Sequence, residues 1–211
     1  MGDGQRAGSV GERMLQARYG SEARAQAFYR EQVLDHLNDA MRAFIARMEL
    51  VFVATSGADG TCDCSLRAGP PGFVQVLDAR GLMYPEYRGN GVLATQGNLA
   101  ENGHIGLLFL DFLGSSVGLH VNGRARIADQ AEALALAGTA AGLREGVAAG
   151  GRQVERWVVV AVGEAYIHCS KHVPLFAKRD KEIAWGTDDP GRKGGDYFGV
   201  SAGRRPPWAG G

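Results

Sequence analysis

The sequence is poor in the features that mark whole classes of protein. Cysteine occurs only three times in 211 residues, at Cys62, Cys64 and Cys169, so no disulfide framework is on offer. Cys62 and Cys64 are separated by one residue and no second pair follows, a spacing too tight for a zinc ribbon. No apolar run approaches the roughly 20 residues that cross a bilayer. The opening MGDGQRAGSV lacks an apolar secretory core, and Arg6 stands where a myristoylation signal needs Ser or Thr. Neither sign of charge is in excess, with 23 basic and 23 acidic residues. A neutral chain has no long-range field to steer it onto nucleic acid or an anionic membrane. Lysine is scarce, four of the 23 basic residues. The expectation is a cytoplasmic protein with reduced thiols and neither nucleic-acid nor membrane partners.

What the chain does have is an ordinary globular balance, 45% apolar and 22% charged, together with 32 glycines. A single domain of this length can bury roughly 70% of its unfolded surface. Residues 1–20 are Gly-rich and polar and read as a loose N-terminal arm; 21–177 carry the periodic patterns of one domain; 178–211 form a polar tail rich in Gly and Pro. From Ser21, Phe28, Val33, Leu34, Leu37, Met41, Phe44, Ile45 and Met48 draw one helical stripe. Asn38-Asp39 is a cap signal that splits the stripe into two helices.

Short β patterns then follow at Val51–Thr55, Thr61–Arg67, Phe73–Leu77, Gly81–Pro85, Ile105–Phe112, Gly118–Ile127 and Arg156–Ile167. A helix is predicted at Gln130–Leu143 behind Asp129 as N-cap. Six or seven antiparallel strands with N-terminal and late helices predict a mainly β protein whose sheet closes into a barrel, removing exposed edges.

Three stretches carry candidate chemistry. On the strand Thr61–Arg67, Cys62, Cys64 and Leu66 share one face while Asp63, Ser65 and Arg67 share the other. Ser65 and Arg67 can therefore reach one ligand, or form a solvent-facing polar edge; the rigid bend Gly69-Pro70-Pro71-Gly72 follows. About 20 residues on, Tyr84-Pro85-Glu86-Tyr87-Arg88-Gly89-Asn90-Gly91 ends a strand in glycines whose N–H groups can converge as an anion nest beside an arginine. A plain Asn-Gly turn is the competing reading. The third stretch, Tyr166-Ile167-His168-Cys169-Ser170-Lys171-His172, gathers imidazoles, a thiol and a lysine. A metal site is disfavoured because alternation puts His168 and Cys169 on opposite faces, and a positive rim around an anion is the preferred reading. No set of nucleophile, base and orienting group is visible. His104 beside Gly103 reads as a helix terminator.

The run DGTCDCSLRAGPPGFVQVLD…LMYPEYRGNGVLATQGNLAENGHIGLLFLDF…GLHVNGRARI, with the late YIHCSKH, resembles the pyridoxamine 5′-phosphate oxidase-like, FMN-binding split-barrel superfamily, and within it the branch of predicted flavin-nucleotide-binding proteins. The likeness covers roughly residues 40–175. It implies a homodimer of split barrels with FMN at the interface and an oxidoreductase working through flavin N5, with a small-molecule substrate or electron donor. Ser65, Arg67, Arg88, Gly89, Asn90 and Gly91 would meet the phosphate and ribityl chain. Backbone near Phe73, Val74 and Gln75 and near Met83, Tyr84 and Pro85 would flank the isoalloxazine. Gly118 to Asn122, including His120, would approach from the partner chain, and Lys171 and His172 would close the site. Asp78 stands about where the oxidase proper is expected to carry a substrate-phosphate lysine, which argues against pyridoxine phosphate as substrate. The alternatives are a non-catalytic flavin or heme binder and an enzyme using the deazaflavin F420.

Overall fold

The computed structural model describes residues 8–138, 142, 154–193 and 195–200. Ser9 and Glu12 form a capping box that starts α1 (Val10–Tyr19), which ends on Gly20 in the left-handed region. These residues were expected in a loose arm; the cap chemistry at both ends outweighs the surrounding glycines. Then come α2 (Glu22–Gln32), β1 (Val33–Leu34) and α3 (Asp39–Arg47). The Asn38 side chain accepts the Met41 N–H at 2.9 Å, as its cap signal predicted. The helical stripe misled at Val33 and Leu34, which pair with Tyr166 and Ala165 far along the chain, and at Leu37, which lies in the link before α3; Met48 is the C-cap of α3.

The remaining elements are β2 (Leu50–Ser56), β3 (Cys62–Ala68), β4 (Gln75–Asp78), β5 (Gly81–Tyr87), α4 (Ala94–Glu101), β6 (His104–Leu110), β7 (Gly118–Ala128), α5 (Gln130–Ala137) and β8 (Val154–His168). Asp129 caps α5 by accepting the Glu132 N–H at 2.8 Å; of its expected extension to Leu143, residues 139–141 and 143 lie outside the described residues. His104 opens β6 rather than ending a helix, and Asn102 is the C-cap of α4.

Strand pairing is antiparallel throughout, in the order β3-β2-β6-β7-β8-β5-β4, with β1 beside β8. The path is open between β3 and β4. The architecture is thus the expected split barrel, with eight strands among the described residues rather than six or seven, and its edges β3 and β4 stay unpaired with each other rather than being removed by closure. The link between them passes through the Gly69–Gly72 bend, whose prolines cannot donate to a ladder.

The core lies between the inner face of the sheet and α3 and α4. Val51, Val53, Leu107, Phe109, Val121, Val158 and Val160 alternate inward from their strands, against Leu37, Ile45 and Leu99. A second cluster joins Met83, Ala128, Ala133, Ala137 and Trp157 under α5, where Trp157 Nε1 donates to Gln130 Oε1 at 2.8 Å. Beyond β8 the chain returns across the surface. Phe176 stacks on Phe112 with centroids 5.3 Å apart and donates its N–H to the Phe112 carbonyl at 2.7 Å. Lys178 then pairs with Glu49.

Candidate functional site

Strand β3 inverts the usual rule for a sheet face. Its alternation leaves Cys62, Cys64 and Leu66 exposed and tucks Asp63, Ser65 and Arg67 inward. Apolar side chains outward and polar ones inward is costly unless the polar set is satisfied. It is satisfied by a network. Arg67 Nε donates to both carboxylate oxygens of Glu86 at 3.0 and 3.1 Å, and Arg67 Nη2 donates to Thr95 Oγ1 at 3.1 Å. Thr95 Oγ1 passes its own hydrogen to Asp63 Oδ2 at 2.8 Å, where Ser65 Oγ also donates at 2.9 Å.

Glu86 is the penultimate residue of β5, still paired with Arg156 on β8. The strand was expected to stop at Pro85; its two further residues aim the Glu86 carboxylate at Arg67. Glu86 is 5% exposed. Burial pushes its carboxyl above the usual carboxylate range, and the Arg67 guanidinium opposes that shift.

These side chains floor a cavity of about 840 Å³, within the ordinary range for small-molecule sites. Ser65 and Arg67 from β3 meet Arg88, Gly89, Asn90 and Gly91 from the loop after β5, so the two anion-type stretches do converge. Gly91 holds φ +83, open to that loop because glycine has no Cβ. Asn90 Oδ1 accepts the Val92 N–H at 3.0 Å. Leu93, the N-cap of α4, is held at φ 57, a strained position for a residue with a Cβ, and no side chain caps the helix. Ala94, Thr95 and Gln96 line the cavity. First-turn N–H groups have no partner within a helix and carry its positive end.

Several lining residues were not singled out from the sequence: Asp63, Glu86, Thr95, Gln96, Glu155, Trp185 and Asp188. The Trp185 ring stacks on Tyr87 at 5.6 Å and 28°. Arg88 Nη1 lies 2.9 Å from Asp188 Oδ2, and its Nε 3.8 Å from Glu155 Oε1. Four carboxylates therefore face two guanidiniums around one cavity.

Other expected residues lie elsewhere within the protomer. Phe73, Val74, Gln75, Tyr84 and Pro85 are buried beside or beneath the sheet and do not line this cavity. Val74 and Gln75 border a separate cleft against α3. Tyr84 is fully buried and its hydroxyl finds no hydrogen-bond partner among the described residues; burial drives its pKa upward. Asp78 closes the β4–β5 turn by accepting the Arg80 N–H at 2.6 Å and is also away from the cavity. Lys171 and His172 occupy an exposed 3₁₀ turn, Ser170–His172.

Gly118 and His120 belong to β7 on the outer face. A Cβ at Gly118 would come within 2.8 Å of His168 Cβ and of the Phe109 carbonyl, so only glycine lets β8 approach there. His120 Nε2 lies 2.9 Å from His168 Nδ1, and its ring stacks on Tyr166 with centroids 4.7 Å apart. Burial, then the neighbouring His168, lowers the His120 pKa. Pairing registers set Leu66, Phe52, Leu108, His120 and Tyr166 in one row across five strands. Leu66 is 53% exposed. The row is an apolar stripe ending in aromatics, where Phe28 of α2 packs edge-on against Tyr166 with centroids 5.9 Å apart.

An open antiparallel barrel with an arginine-bearing cavity beside β3 defines a split-barrel fold. The chain belongs to the pyridoxamine 5′-phosphate oxidase family, whose family model matches residues 37–169. No curated protein matches it significantly. Among solved structures it is similar to HupZ of Group A Streptococcus, at 24% identity over 59% of this chain and 88% of that one, with a TM-score of 0.42. It is also similar to an F420 reductase, at 15% identity over 60% and 94%, TM-score 0.40. HutZ, the heme storage protein of Vibrio cholerae, matches at 13% identity over 63% and 93%, TM-score 0.39. Among the described residues no helix is long and apolar enough to cross a membrane, and no group of three or more His, Cys, Asp or Glu is placed to hold a metal ion.

Proposed function

We propose that this protein is an FMN-dependent oxidoreductase that binds the cofactor phosphate in the cavity between β3 and the Arg88–Gly91 loop. The observation that supports it most is the convergence of Ser65, Arg67, Arg88, the loop glycines and the uncapped start of α4 on one cavity. Guanidinium forks, a hydroxyl and converging N–H groups are the donors that a phosphate monoester needs. The residues present fit that group on one condition, that the carboxylate now on Arg88 gives way. Arg67 is already committed to Glu86 and Thr95 and presents its remaining N–H donors from a fixed position; Arg88 is the more adaptable contact.

Bound FMN would supply hydride or electron transfer at flavin N5. The residues of the chain would hold and orient it. Ser65, Arg67 and Arg88 fix the phosphate, Gly89 and Gly91 admit close backbone approach, and Tyr87 with Trp185 limits water. We assign the partner as a second copy of this chain, seated on the Leu66–Phe52–Leu108 stripe. The residues of the late motif and β7 that lie away from the cavity would then reach a site only across the two-fold. The substrate or electron donor is a small molecule, and the setting is the cytoplasm.

The test is the colour of the purified protein. A yellow solution that releases FMN, and bleaches with NADH or NADPH without oxygen, supports the reading. A protein that binds FMN but bleaches with neither donor is a flavin carrier. A colourless protein that gains F420 and not FMN would replace the cofactor. The His120–His168 pair favours one second reading, because a neutral imidazole on a half-buried strand face can ligate heme iron. A Soret band lost in His120→Ala would establish it.

A further inference from the structure

The segment Trp185–Asp188 lies beyond the region matched to the family, yet it supplies two residues to the cavity wall. It reaches the cavity along a defined path. The chain is pinned by Phe176 on Phe112 and by Lys178 on Glu49, then Trp185 stacks on Tyr87 and Asp188 meets Arg88 at 2.9 Å. Lys193 Nζ lies 3.6 Å from the other oxygen of Asp188. A carboxylate on a guanidinium has the geometry and charge that a phosphate oxygen would have there. An anionic ligand that uses Arg88 must therefore exchange with Asp188, or share the site with its negative charge.

We propose that Asp188 is a built-in competitor for the anion position at Arg88, carried on a strap whose Trp185 forms the outer wall of the cavity. The strap sets how strongly the site takes the charged end of its ligand. A ligand with the same rings but no phosphate does not contest Arg88, so Asp188 leaves its affinity alone. The identity of the ligand rests on the FMN reading; the docked state of the strap does not.

Both parts are tested with the full chain and Asp188→Asn, by quenching of flavin fluorescence with FMN and riboflavin, and by hydrogen exchange of residues 183–190 without ligand. The Arg88–Asp188 pair is about half exposed, with side chains 56% and 52% accessible, so its loss is worth a modest factor. FMN should bind about two- to fivefold tighter to the variant, riboflavin should bind equally to both, and the strap amides should exchange faster in the variant. Equal or weaker FMN binding by the variant, where the wild type binds FMN, overturns the proposal. If neither protein binds FMN, the flavin reading fails instead, and exchange alone decides: faster exchange in the variant supports the docked strap, and unchanged exchange overturns it.

Discussion

Replacing Arg67 by Met removes the guanidinium that hydrogen-bonds Glu86 and leaves only the weaker influence of Arg156, while keeping much of the side-chain volume. Glu86 has 6% of its side chain accessible and Arg67 19%, so the pair is largely withdrawn from water. Stripping one partner from a buried pair costs 3–5 kcal/mol, because the other charge is left without compensation. The partial access of Arg67 puts the expected cost near the low end, about 3 kcal/mol, or about 6–12 °C in Tm for a chain of this size. The cost should depend on pH, with a definite sign. Burial already holds the Glu86 carboxyl above its usual range, and Arg67 restrains the shift. Without Arg67 the folded-state pKa rises further. A carboxyl whose folded pKa exceeds its unfolded one binds more protons when folded, so its stability is present at low pH and is lost as pH rises through the folded value. Urea unfolding of the variant and the wild type at pH 5 and pH 8 measures this. The deficit should be full at pH 8 and shrink at pH 5 to about 1 kcal/mol, the worth of the lost neutral hydrogen bonds. A deficit equal at both values, or larger at pH 5, would refute the argument that Glu86 is a buried charge held by Arg67.

Tyr84→Phe should stabilise the protein by about 1 kcal/mol, since it removes a buried hydroxyl that has no partner among the described residues and leaves the ring packed; a raised urea midpoint checks this, and a lowered one would show that the hydroxyl is satisfied. The His120–His168 contact should make the fold acid-sensitive. His120 has a folded pKa below its unfolded one, so the unfolded chain takes up more protons and stability falls as pH drops below the ordinary histidine range of about 6.5. His168→Asn removes the second of the two causes that lower this pKa and should reduce, without abolishing, the loss of urea midpoint between pH 7 and pH 5.5. An unchanged slope would assign the effect to burial alone.

The parts of the fold that were legible from sequence were those set by local periodicity. The period-2 alternation of Cys62–Arg67 placed Asp63, Ser65 and Arg67 on one face, and that face floors the cavity. Asn38 and Asp129 announced their helices by side-chain chemistry that acts within three residues. What escaped depends on distant chain. Val33 and Leu34 continue a helical stripe and become strand only because β8 offers them a ladder at Tyr166 and Ala165. Glu86 looked like a loop residue until its pairing with Arg156 turned it toward Arg67. Asp188 and Trp185 sit in a polar, Gly- and Pro-rich stretch with no periodicity, and only docking makes them part of the site. The residues taken from the family likeness for the flavin rings, Phe73 to Gln75 and Tyr84–Pro85, are not brought to the Arg67–Arg88 cavity within one protomer.

The central claim is that the cavity at Arg88 receives the phosphate of FMN. Equilibrium titration of FMN into the 211-residue protein and into its Arg88→Ala variant tests it most directly. One charge-assisted hydrogen bond at a partly exposed arginine is worth roughly 1.5 kcal/mol, so the variant should bind FMN about tenfold more weakly while riboflavin affinity stays the same. Equal FMN affinity in the two proteins would contradict the account and place the phosphate elsewhere.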